Sequence, residues 1–171
     1  NVTIAGSGVP GTAAFLVSSG AAATHTGTLT LSSNSNISVN SGSLTLSGAV
    51  NNTFTLTKNG TGVANLSGAN NFSGKTIVNG GSLLINGSIG DLGVYFGTLS
   101  PGNGPGILTV NGNLEVNPNA TLLFDINGTV AGTQHDQIVV NGSVNVSGAI
   151  LSGLHPLSYQ NDVYTIIKND A

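Results

Sequence analysis

Leu29-Thr30-Leu31, Ile37-Ser38-Val39 and Leu44-Thr45-Leu46 follow one another within residues 29–46. Each is an apolar, small polar, apolar triplet bounded by Ser, Asn or Gly. Alternation with a period of two is a strand signature, because successive side chains of an extended chain point to opposite faces. The phrase returns as Phe54-Thr55-Leu56, Thr76-Ile77-Val78, Leu83-Leu84-Ile85, Leu108-Thr109-Val110, Leu114-Glu115-Val116, Ile138-Val139-Val140 and Val144-Asn145-Val146. Strands this short, this numerous and this alike predict an all-β fold of stacked coils, a parallel β-helix or β-solenoid, in which each turn buries its apolar residues against the next. At roughly 20–25 residues per coil the chain makes about seven or eight turns.

The corners are marked as clearly as the strands. Asn-Gly occurs at Asn59, Asn79, Asn86, Asn103, Asn111, Asn127 and Asn141. Both residues tolerate positive φ, which a tight corner needs. Asn-Gly also builds antiparallel hairpins, so an antiparallel sandwich is the competing architecture. Strand length and mutual likeness favour the coil. The best stretch for a helix is residues 13–23, but Gly20 interrupts it and no charged face opposes an apolar stripe. A β rung accounts for it as well. Residues 97–106, with Pro101 and Pro105, read as a bent or looped section, and residues 154–162 as a second proline-containing loop.

Composition removes several functions. Charged residues make up 5% of the chain: Lys58, Lys75 and Lys168, no Arg, and six acids, for a net charge of −3. Such a surface cannot track a phosphate backbone or hold an anionic membrane, so no nucleic-acid partner is expected. No apolar run approaches the roughly 20 residues of a membrane-spanning helix, and no membrane insertion of this segment is expected. There is no Cys, which excludes disulfides and thiolate metal sites. The sequence starts at Asn1 rather than Met, as a processed form or a fragment would. The eleven Asn-x-Ser/Thr sites are what an Asn-, Ser- and Thr-rich chain produces by composition.

Candidate chemistry is thin. Gly6-Ser7-Gly8-Val9-Pro10-Gly11 follows the strand-like Val2-Thr3-Ile4 and fits G-x-G-x-x-G. A dinucleotide site also needs a following helix and an acid about 20 residues on, whereas the first acid is Asp91. A glycine-rich β corner fits better. His135-Asp136 is the one adjacent pair of His and acid, but a nucleophilic triad needs its base oriented by an acid within hydrogen-bond reach, which spacing alone does not give. Asp125 and Glu115, both on strands, are expected to face solvent; paired carboxylates could cleave a glycoside, but with six acids in the chain a chance pair is the better reading. Oxygen-rich acidic clusters for calcium are missing. No catalytic, cofactor-binding or metal-ligating residue is assigned, and no cofactor is expected. Asparagines at equivalent corners are expected to stack into amide ladders.

Residues 58–90 contain Gly60-Thr61-Gly62, Ser67-Gly68-Ala69-Asn70, Phe72-Ser73-Gly74 and Thr76-Ile77-Val78-Asn79-Gly80-Gly81-Ser82-Leu83. This order closely resembles the autotransporter-associated β-strand repeat of bacterial passenger domains. Residues 98–151 are similar to the section that follows the repeat, from Leu99-Ser100-Pro101-Gly102 through Phe124-Asp125-Ile126 and His135-Asp136-Gln137-Ile138-Val139-Val140 to Ser147-Gly148-Ala149-Ile150-Leu151. The ending, residues 164–170, is similar too. The resemblance implies a right-handed parallel β-helix exposed at the bacterial surface, and a stalk rather than an enzyme; it also implies that Asp136 lies in a rung beside the repeat's strand and bonds turn amides. The chain departs from the family in a shorter segment at residues 91–98 and in the lack of the membrane-embedded barrel that normally follows the passenger.

Residues 1–57 are thus expected to be coils of general pattern and residues 58–171 coils of the repeat type, in one continuous domain. The expected function is that of a non-enzymatic, adhesive, self-associating rod at the cell surface. Host-surface or matrix glycans or proteins are its candidate partners. The alternatives are a subunit of an extracellular filament or sheath, and a carbohydrate-active β-helix enzyme.

Overall fold

In Ser43–Leu46 the residues alternate as the triplets require: Leu44 and Leu46 are buried, Ser43 and Thr45 half-exposed. The same alternation runs through Ser35–Val39, Val63–Leu66, Ser82–Ile85 and Ala120–Asp125. The computed structural model describes residues 1–6, 14–18, 20–154 and 162–170. Among them every regular element is a strand, and every ladder between strands is parallel.

The chain visits three faces in turn. Val2–Ile4, Leu29–Leu31 and Val50–Asn51 pair along the first face. Phe15–Val17, Ser35–Val39, Leu56–Asn59, Thr76–Val78, Leu92–Val94, Leu114–Val116 and Val144–Asn145 form the second. Ala22–His25, Ser43–Leu46, Val63–Leu66, Ser82–Ile85, Gly97–Ser100, Ala120–Asp125 and Ile150–Leu154 form the third. A further sheet of Gly87–Ile89, Ile107–Val110, Gln137–Val140 and Ile167–Asn169 takes up the first face again. Each strand pairs with the strand one circuit away rather than with its neighbour across a turn. That is the arrangement of a β-solenoid, and it rules out the antiparallel sandwich.

Registry puts like residues on one another. Leu44, Ala64, Leu83, Leu99 and Leu122 are successive partners down the third face, all buried. Leu56, Thr76, Leu92 and Leu114 do the same down the second. Burying one Leu or Ile contributes about 1.5–3 kcal/mol. No single rung holds enough of them to stand alone, so stability resides in the stacking.

Corners are set by close backbone approach. Gly62 and Gly81 lie above one another where the chain turns from the second face to the third, and Ser82 N donates to Gly62 O at 3.2 Å. Gly81 has φ +62°, and a Cβ there would run into the Gly62 carbonyl oxygen. Any side chain at this position would push the coils apart.

Three sequence expectations change. Phe54 and Thr55 are outside the strand, which runs Leu56–Asn59, and the Phe54 ring is 39% exposed at a corner. Residues 97–106 are not all loop, because Gly97–Ser100 completes a rung of the third face. In residues 13–23 the β rung, rather than the weak helix candidate, is what forms, as the strands Phe15–Val17 and Ala22–His25. The strand in Val144-Asn145-Val146 stops at Asn145. Most of the G-x-G-x-x-G stretch and of the loop at 154–162 lies outside the described residues.

Candidate functional site

Most corners are two to four residues of Ser, Asn and Gly, but the corner leaving the third face is different. Between Ser82–Ile85 and Gly87–Ile89 it is the single residue Asn86. In the next coil it spans 101–106, and in the one after that 126–136. Long connections accumulated at one place on a solenoid are where binding surfaces are commonly built.

Asp136 holds two of these loops. Its Oδ1 accepts from Gly106 N at 2.7 Å and its Oδ2 from Asp125 N at 2.8 Å, so one buried carboxylate ties the end of the first loop to the start of the second. Burial pushes its pKa up to about 6, against the pull of the two amides. The expectation that Asp136 bonds turn amides is met. His135, also buried, places Nδ1 3.0 Å from Gly128 O and sets its ring edge-on to Tyr164 at 5.5 Å. The two side chains serve different backbone groups and do not form a His–Asp couple. Asn127 N donating to Gln134 O, and Gln134 Oε1 accepting from Val130 N, close the 126–136 loop on itself.

At the foot of these loops, on the outer side of the third face, lies a groove of about 210 Å³. Leu84 and Leu123 give it an apolar floor, and the hydroxyls of Ser82, Thr98 and Ser100 line it. Ser82 and Thr98 share one rung position, and Leu84 and Ser100 the next but one. The loop at 102–104 forms a wall. Asp125 closes one end; its backbone is bonded to Asp136, and its carboxylate has no partner among the described residues.

Glu115 is elsewhere. It projects from the second face, where Tyr95 Oη donates to Glu115 Oε2 at 3.4 Å. Lys75 Nζ donates to Tyr95 Oη, also at 3.4 Å, completing a cation–phenol–carboxylate ladder across three coils. Gly93 leaves the space the Tyr95 ring occupies. The fold does not bring Glu115 and Asp125 together as a carboxylate pair. Among the described residues no three side chains of His, Cys, Asp or Glu cluster as metal ligands. No helix there is long and apolar enough to cross a membrane.

Amide ladders form, in short runs. Asn79 Nδ2 donates to Asn59 Oδ1 at 3.4 Å, and Asn141 Nδ2 to Asn111 Oδ1 at 3.1 Å. Asn111 Nδ2 in turn donates to Ser88 Oγ at 2.7 Å, where the column ends.

Two structural side chains were not anticipated. Lys58 points inward, in register with Ile37 below and Val78 above, and is 2% exposed. Its ammonium donates to the carbonyls of Asn59, Gly60 and Gly80 at 2.8, 3.0 and 3.1 Å. Burial holds its pKa down at about 8. The signal was present in the alternation Leu56-Thr57-Lys58, which assigns Leu56 and Lys58 to one side. Asn70 mends the first face where it lacks a strand. Its Oδ1 accepts from Val50 N at 3.2 Å and its Nδ2 donates to Leu66 O at 2.7 Å. Its own backbone carbonyl accepts from Ser88 N, and Phe72 beside it is buried in the core.

No curated protein and no solved structure matches the chain. The family model of the passenger-associated-transport-repeat matches residues 56–85. The matched span runs from the strand that carries Lys58, through Asn70 and Phe72, to the end of the rung at Ile85. Those residues carry the chain once around the coil, from Leu56 back to Thr76, and on to the next rung of the third face, and they include the ones that mend its weakest face. Residues 56–85 are therefore a repeat of the autotransporter passenger type.

Proposed function

We propose that this chain is a non-enzymatic rod displayed at the bacterial outer surface, in one continuous domain of about seven or eight right-handed coils, and that its role is adhesive and self-associating. The observation that carries this reading is the passenger repeat at residues 56–85, set within columns that continue in register through coils on both sides of it. A rod of this kind needs a surface that is polar without strong like-charge repulsion. Five per cent charged residues and a coat of Ser, Thr and Asn provide one.

Antibodies raised to the purified chain test the display directly. On intact cells of the source bacterium they are expected to label the surface. Labelling that appears only after permeabilisation contradicts the reading. Electron microscopy of the purified chain over a range of concentrations tests self-association: rods that pair or bundle as concentration rises support it, and single rods at every concentration contradict it.

A further inference from the structure

The groove at the foot of the long loops has a lining that selects its ligand. We infer that it binds one ring of a neutral saccharide, the ring's aliphatic face against Leu84 and Leu123 and its hydroxyls to Asp125 and the serine and threonine rim. The inference rests on reading the chain as a surface-displayed rod, and it names what that surface takes hold of.

The argument runs by exclusion and then by fit. An anion has nothing to pair with, since none of the three lysines lines the groove: Lys58 is buried in the core, Lys75 lies on the second face, and Lys168 pairs with Asp170 at 2.9 Å. A divalent cation finds one carboxylate where calcium takes six to eight oxygens. The volume, about 210 Å³, is below the roughly 300–1,000 Å³ of pockets for drug-sized molecules, so the occupant is a small unit or the tip of a chain. What remains is a ligand with one apolar surface and several hydroxyls. Leu84 and Leu123 are half-exposed outward residues on strands, held by the ladders on either side, so the floor is rigid before a ligand arrives. Asp125 supplies a charged acceptor for sugar hydroxyls, and its carboxylate has no partner to give up among the described residues. Asp136, by fixing Gly106 N and Asp125 N, acts as a positioning residue for wall and acceptor alike.

Heteronuclear NMR on the nitrogen-labelled chain gives the test. It is titrated with methyl glucoside, galactoside and mannoside at millimolar concentrations, and separately with calcium chloride and butylamine. The expected result is saturable shifts from at least one glycoside, confined to amides of residues 82–85, 98–104 and 121–126. Asp125→Ala, whose side chain has no partner to lose among the described residues, should weaken that binding about tenfold or more. Leu84→Ala should weaken it as well, and Glu115→Gln on the second face should leave it unchanged. No saturable shift with any glycoside overturns the inference. So do shifts with calcium or butylamine alone, shifts spread over the whole chain, or glycoside binding indifferent to Asp125→Ala. Failure here leaves surface display standing, because antibody access to intact cells does not depend on sugar.

Discussion

Asp136 shows how a single buried carboxylate can link stability, pH and loop geometry. Its pKa, raised to about 6 from an ordinary value of 3.8, means that ionisation is harder in the folded chain than in the unfolded one. The stability it confers is fully present below pH 3.8 and is lost as pH rises through about 6. At neutral pH the folded chain therefore carries a penalty of up to about 3 kcal/mol from this group. Urea unfolding should accordingly show a higher midpoint at pH 4.5 than at pH 7. In Asp136→Asn that component of the pH dependence should vanish. The asparagine can accept from only one of the two amides at Gly106 and Asp125, costing about 1–3 kcal/mol, a cost felt in full at pH 4.5 and offset at pH 7 by removal of the ionisation penalty. An unchanged pH profile in Asp136→Asn contradicts the assignment. That Asp136 binds turn amides was legible only through the resemblance to the passenger repeat, which places it in a rung beside a strand. Which amides it binds was not, because Gly106 lies a full circuit away. The groove was hidden for the same reason: Leu84, Ser100 and Leu123 meet only through registry between coils.

At the scale of the strand and its corner, the period-two triplets predicted most rungs because one face of each strand has no alternative but the core. Leu29-Thr30-Leu31 and Leu114-Glu115-Val116 are strands as written. Phe54-Thr55-Leu56 misled because an aromatic at a corner mimics an inward residue, and pattern alone cannot tell a rung from the approach to it. Lys58 misled in the opposite sense: a lysine inside the coil is stable only because a corner happens to aim three carbonyls at it. Corners themselves obey a stricter rule than the rungs. Gly81→Ala places a Cβ against the Gly62 carbonyl at positive φ and should lower unfolding stability by about 2 kcal/mol or more. Gly20→Ala is the matched comparison, since its φ is not in the left-handed range and the nearest atom, Ser41 Oγ, is 4.0 Å away. That substitution should be neutral or slightly stabilising. Thermal melts of both variants decide it: equal effects at the two glycines would mean that coil spacing at the corners does not govern stability.

The whole molecule is a stack in which each rung depends on its neighbours, and the passenger repeat covers one circuit of it and part of the next. The central claim is therefore the parallel registry of equivalent positions in successive coils. Thr45 and Asn65 are partners across one rung spacing, and Asn65 and Leu84 across the next, all on the outer side of the third face. Adjacent strands lie about 4.8 Å apart and alternate ones about 10 Å apart, while a disulfide needs Cα atoms within roughly 7 Å. The chain has no cysteine of its own, so an introduced pair reports without interference. Thr45→Cys with Asn65→Cys should oxidise to an intramolecular disulfide in the folded monomer. Thr45→Cys with Leu84→Cys should remain reduced under the same conditions. Closure of the second pair but not the first, or equal behaviour of the two, would contradict the stacked-coil account.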